Sequence, residues 1–315
     1  MSATLMIMIL PFVLFLSIHF KIDVMKPLEP LSGTLHQQCV SWFSVNSETI
    51  SSSYDLSRSF ICGQKVTRTS QKHTLQKSGL YHAIVVSGGH FIFLESVLKR
   101  LFWPAWLRFI LLGLYYLMTG LQAPGLRSLM QMIATCLCNR YGKHLSTMAL
   151  CFYSGLLCLI LCSPLWTSLS FWLSFAVSLS LSVSNELLPR SPSSLNTLLP
   201  MSLIYLFLFP FNFLHGYAHP LNLILGMLLL QPFCGILLSS AGLIILGRIL
   251  NSDGLFDLNY QINRYLFLFL EKFTLVIPEK SHGHLSLFYL WLYLLALVAL
   301  VHVFIIYFRR DTIRE

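Results

Sequence analysis

From residue 79 onward the chain is apolar almost without interruption. Its last run, SLFYLWLYLLALVALVHVFIIYF at 286–308, holds 23 residues with His302 as the single ionisable group. A helix of that length rises about 34 Å, enough to cross the roughly 30 Å hydrocarbon core of a bilayer. Only 10% of the residues are charged, against about 25% in soluble domains, and this excludes a soluble globular protein. The pattern predicts an all-α polytopic membrane protein. Arg309, Arg310 and Arg314 follow the last run, so the positive-inside rule places the C-terminus in the cytoplasm.

Candidate helices fall near 80–98, 101–119, 125–138, 145–162, 164–184, 197–217, 220–249, 262–277 and 286–308, of which seven or eight are expected to span. As one helix, 220–249 would measure about 45 Å. Pro232 and Gly235 interrupt it, so two half-helices or a re-entrant pair are expected. The 262–277 run carries Arg264, Glu271 and Lys272 among phenylalanines and reads as an interfacial helix. Residues 3–20 are apolar, with no Lys or Arg before them and no small-residue cleavage site after, and residues 1–20 read as a retained membrane anchor.

Between these runs, residues 21–78 carry seven basic and four acidic side chains, a serine cluster at Ser51 to Ser53, and β-like runs such as Val40 to Val45. Such a short polar segment predicts a loop or small cap rather than a stable domain. It also holds Cys39 and Cys62, for which a disulfide in an oxidising compartment and two free thiols are both open readings. The other six cysteines lie in or beside apolar runs, and none has zinc-site spacing.

Two helices carry small or polar stripes. Ser170, Ser174, Ser178 and Ser182 recur every four residues, and Cys151, Ser154, Gly155, Cys158 and Cys162 share one face of the preceding helix. Close helix packing and a water-lined polar face are both consistent with that spacing. The most unusual stretch is Gly79 to His90, GLYHAIVVSGGH, where consecutive glycines after Ser87 disfavour a continuous helix. A break there would turn freed N–H groups toward an anion, with His82 and His90 as donors that titrate near neutrality; alternatively both histidines bond neighbouring helix carbonyls.

The pattern Gly79-Leu80-x-His82-x-x-x-x-Ser87-Gly88-x-His90 resembles the signature of the competence domain of the ComEC family, membrane channel proteins of bacterial DNA uptake. Phe60 to Gln64, Pro124-Gly125-Leu126-Arg127-Ser128-Leu129-Met130, Leu173 to Ala176, Asn222-Leu223 and Gln231-Pro232 resemble its later motifs in the same order. The resemblance implies a competence-type transmembrane domain over 58–250, a polar loop or small cap over 21–57 on the outer side, and an interfacial helix, last span and cytoplasmic tail over 251–315. It implies a channel in the bacterial inner membrane for single-stranded DNA, in contact with the lipid bilayer and working with a separate DNA receptor, nuclease and cytoplasmic motor.

A strand with one charge per nucleotide needs a wet path lined by cations and donors. The candidates are His82, Ser87, Gly88, His90, Arg127 and Asn222. Arg127 follows Pro124 and is expected in a helix's first turn, where a cation opposes the helix dipole unless an anion binds nearby. Arg108, flanked by Trp103 and Trp106, is expected to snorkel to the interface.

The sequence departs from larger members of that family. Residues 21–78 are too short for an oligonucleotide-binding fold, and His282-Gly283-His284 is followed by Leu285 rather than by a nuclease metal cluster. No enzymatic activity, metal or cofactor is therefore expected. Three rival readings stand beside the channel. One is an intramembrane serine hydrolase using Ser87 with His90, His215 or His219; another is a metal site at His215 and His219; the third is a small-solute transporter or membrane assembly subunit.

Overall fold

The computed structural model describes residues 19, 21–43, 51–66, 69–78, 80, 88–101, 104–143, 145–187, 200, 202–209, 220–274, 293 and 296. Among them the regular structure is helical, with one isolated bridge between Asp23 and Cys162 and no β-strand. In chain order the helices are α1 (Glu29–Trp42), α2 (Ser51–Cys62), α3 (Thr69–Lys77), α4 (Gly88–Arg100), α5 (Ala105–Met118), α6 (Ala123–Arg140), α7 (Thr147–Leu161), α8 (Leu169–Leu187), α9 (Pro220–Leu250) and α10 (Asp253–Thr274). Residues 202–209 are also helical. The starts follow elementary chemistry. Pro30, Pro124 and Pro220 occupy opening positions where a missing N–H costs nothing, and Ser146 caps α7 by accepting from the Ala149 N–H at 3.2 Å.

The chain divides into two compact units, and the boundary falls inside α6 between Gly125 and Leu126. The unit comprising Lys26–Gly125 and Tyr217–Lys280 is organised around the α9–α10 hairpin, closed by Asn251 in the left-handed region with φ 54°. Its core joins Leu56, Phe60, Leu75, Leu80, Phe233 and Leu270. The segment expected as a loop or small cap over 21–57 is largely helical in its described part, and Val40 of the β-like run is helical too. α1 and α2 gain order from contacts distant in sequence: Cys39, Phe43 and Cys62 pack against Ala241 and Ile244 of α9. Cys39 and Cys62 form a disulfide with Cα atoms 5.9 Å apart, settling the open alternative and adding about 3 kcal/mol for a loop of this size.

Pro232 does not divide α9. The helix runs 31 residues with the proline inside it, in place of the two half-helices expected. A proline interior to a helix costs about 3 kcal/mol, and packing of α9 along α10 and α2 offsets it. α10 likewise begins at Asp253, nine residues before the apolar run at 262, because Asp253 favours the N-terminal dipole and Asn259 and Asn263 find buried partners.

The second unit, Met1–Met25, Leu126–Gly216 and Ser281–Glu315, contains the α7–α8 hairpin, joined by a 3-10 turn at Ser163–Thr167. A Cβ on Gly155 would lie 2.6 Å from the Phe175 ring, so only glycine permits this approach of α7 to α8. The strand-like segment before α1 attaches here, with the Val24 N–H donating to the Leu161 carbonyl at 3.0 Å and the Ser163 N–H to the Ile22 carbonyl at 2.8 Å.

Beside the apolar cores, polar side chains are buried while large apolar ones are exposed. Ser57, Ser154, Ser180, Ser182, Ser240, Asn259 and Asn263 are buried, whereas Trp106, Ile110, Leu114 and Met118 form one exposed stripe on α5 and Leu258, Tyr265, Phe269 and Phe273 line an exposed side of α10. Among the described residues one stretch, Pro232–Leu250, is long and apolar enough to cross a membrane, and only a third of it is buried. α5 and α7, with 14 and 15 residues, are shorter apolar helices.

Candidate functional site

The Gly79 to His90 stretch is described only in part. His82 and Ser87 lie outside the described residues, as do His215 and His219. Leu80 is fully buried, and its N–H donates to the Leu75 carbonyl at 3.0 Å as the chain leaves α3. α4 then starts at Gly88 rather than at 80, so the glycine pair occupies the first turn of a helix, where its entropic cost is least harmful. Gly88 is buried; His90, two residues on, is half-buried and sets its ring edge-on to Phe60 with centroids 4.2 Å apart.

α6 places the next candidate. A Cβ on Gly125 would come within 2.7 Å of the Phe91 ring, so glycine lets the start of α6 press against α4. Because α6 opens at Ala123, Arg127 is its fifth residue and lies just past the first turn in which it was expected. Its side chain is 2% exposed, the largest among the fully buried side chains described. Nε donates to Ser174 Oγ at 3.0 Å, Nη1 to Gln131 Oε1 at 2.8 Å and Nη2 to Ser128 Oγ at 3.1 Å. The Cys151 thiol completes this shell and reaches Ser182 in turn.

Every one of these partners is neutral, and among the described residues no carboxylate pairs with Arg127. Hydrogen bonds to a charged group contribute roughly 1.5–3 kcal/mol each, while an ion taken out of water costs several kcal/mol. The shell therefore solvates the guanidinium without neutralising it. Chemically, such a site favours an anion. Ser174 of the serine stripe holds the cation, and Gly155 of the α7 stripe lets α7 pack closely on α8, in line with the packing reading.

Arg108 differs. It donates to Glu95 of α4 in an ion pair and so is neutralised within the protein instead of merely reaching for the interface. Asn222 lies in the first turn of α9, and its side chain is outside the described residues. Arg127 belongs to one compact unit and Gly88, His90 and Asn222 to the other. No group of three His, Cys, Asp or Glu side chains with metal-site geometry occurs among the described residues.

Sequence reasoning did not identify Gln131 as a partner of Arg127, although its i+4 spacing was a usable signal. It also missed a buried cluster in which the Asn263 amide donates to Ser240 Oγ at 2.8 Å, Ser57 and Ser240 hydroxyls lie 3.0 Å apart, and Ser240 bonds Asn259. The i, i+4 pair Asn259 and Asn263 was its only local sign.

A family model described as Competence protein matches residues 61–311. No curated protein and no solved structure matches the chain.

Proposed function

The chain belongs to the competence protein family, and on that premise we propose that it is a multi-pass inner-membrane protein that conducts single-stranded DNA to the cytoplasm during natural transformation. Membership implies a role in DNA uptake. The channel, the seven or eight spans with a cytoplasmic C-terminus, and the reliance on a separate receptor, nuclease and motor are our reading.

The observation that carries it is the family match over 61–311, a range that contains Arg127. Two structural features support the reading. The exposed apolar stripe suits a lipid surround, since Trp106, Ile110 and Leu114 cost free energy in water and none in hydrocarbon. The buried, uncompensated Arg127 suits a passing phosphate, which supplies the missing negative charge. Arg127 is covered in this structure, so conduction requires Ser174, Gln131 and Ser128 to yield their hydrogen bonds to the strand. Gly88 and His90, at the start of α4, with His82, Ser87 and Asn222, are proposed as further contacts for the strand. α5 and α7 are too short to cross alone, at about 21 and 22 Å, and act as re-entrant or extended spans.

The test is genetic and biochemical. Deleting the gene in a naturally competent host is expected to abolish entry of labelled DNA into the cytoplasm while binding of DNA at the cell surface persists. Unchanged transformation overturns the proposal.

A further inference from the structure

α10 presents three different sides. Asn259, Asn263 and Thr274 point into the protein; Asp253, Asp257, Arg264, Glu271 and Lys272 are exposed on another side; and an apolar side faces a cleft shared with α9. That cleft, about 390 Å³, is lined by Pro232, Phe233 and Ile236 of α9 and by Ile262, Tyr265 and Phe269 of α10. Tyr265 and Phe269 are 68% and 46% exposed at its mouth, so the cleft is open to the surround.

We infer that this cleft is a phospholipid site, holding one acyl chain between α9 and α10 with the head-group phosphate at Lys272. The wall selects the ligand. It offers hydrocarbon and aromatic surface with almost no polar group, which suits a methylene chain and not a sugar, base or peptide backbone. Charge selects the orientation: Lys272 is exposed three residues beyond Phe269, hence a neighbour of the cleft mouth on the helix surface, where a phosphate would meet it. The charged side of α10 sets the helix at the membrane surface, and the cleft runs alongside the one stretch of α9 able to enter hydrocarbon. A lipid seated there fills the cleft beside Pro232 and ties α9 to the interface. The inference rests on the membrane embedding proposed above, not on DNA passage.

The full-length protein is reconstituted in phosphatidylcholine vesicles containing a trace of phosphatidylcholine with a mid-chain diazirine. It is irradiated before or after transfer to detergent, and adducts are mapped by peptide mass spectrometry. In vesicles, adducts are expected on both the cleft and the exposed α5 stripe of Trp106, Ile110 and Leu114. After transfer, those in the cleft should exceed those on α5 by about tenfold, the mark of a retained lipid preferred by about 1.4 kcal/mol. Phe269→Glu, and independently Ile262→Trp, which fills the cleft without adding charge, should each remove the cleft adducts and leave those on α5 in vesicles. Equal labelling after transfer means bulk lipid contact only and overturns the inference. So does a cleft that stays unlabelled in vesicles while α5 reacts, the result expected if a second copy or a partner helix covers it. Absence of adducts at both places in vesicles overturns the membrane embedding itself.

Discussion

Arg108 on α5 and Arg127 on α6 look alike in sequence, each a cation near the start of a largely apolar helix, and the structure gives them different surroundings. Arg108 meets Glu95 of α4 in an ion pair, while its Nε is buried without a hydrogen-bond partner among the described residues. Arg127 is more deeply buried, yet its shell is two serine hydroxyls, a glutamine amide and a thiol. The half-buried ion pair has its charge matched, whereas a buried cation among neutral dipoles has negative charge still to acquire. The α4–α5 region is therefore read as scaffold and the α6–α8 region as the place where an anion is received.

The comparison breaks most readily at Arg127. Reversing it to Glu places an anion among acceptors and is expected to lower transformation frequency at least about a hundredfold, corresponding to roughly 3 kcal/mol. Arg127→Lys retains the charge but not the planar fork and is expected to cost about tenfold. Transformation frequency normalised to the amount of protein in the membrane fraction checks both. Tolerance of Arg127→Glu would place the two arginines in one class.

A smaller effect is expected in the α4–α5 region. Arg108→Glu sets two carboxylates side by side and should lower stability by about 1–3 kcal/mol, an estimate between exposed and buried pairs. The exchange Arg108→Glu with Glu95→Arg should return the thermal midpoint and the normalised uptake toward their original values. If the exchange restores stability but not uptake, Arg108 has a role beyond scaffolding, and the contrast with Arg127 is lost.

How far these surroundings were legible depends on the distance between partners in sequence. Helices α5, α6 and α7 follow from apolar runs bounded by Pro104, Pro124 and Ser146, and their ends shift by only a few residues. By contrast, the segment of α1 to α3 reads only as a loop or small cap, because its order comes from α9 and α10, far along the chain, and from a disulfide that spacing could not choose over free thiols. Pro232 read as a break for the same reason: the packing that carries α9 through it is contributed by other helices. At the site, Arg127 stood out as a cation near a proline-marked helix start, but Ser174 is 47 residues away, and nothing local assigns it to Arg127 rather than to helix packing.

Ser174 also supplies the smallest and most discriminating measurement. Ser174→Ala removes the acceptor of the Arg127 Nε–H and leaves a buried charged donor short of one bond, so resting stability should fall by about 1–3 kcal/mol. Ser174→Thr keeps the hydroxyl and should recover much of it. Uptake is expected to behave differently. If the hydroxyl is a stand-in that phosphate displaces, its loss destabilises the resting protein but not the strand-occupied one. Normalised transformation should then change by no more than about threefold, or roughly 0.7 kcal/mol. A fall in uptake as steep as the fall in stability, rescued by Ser174→Thr in proportion, would instead mark Arg127 as a structural cation like Arg108, held in place by its neutral shell and never presented to DNA.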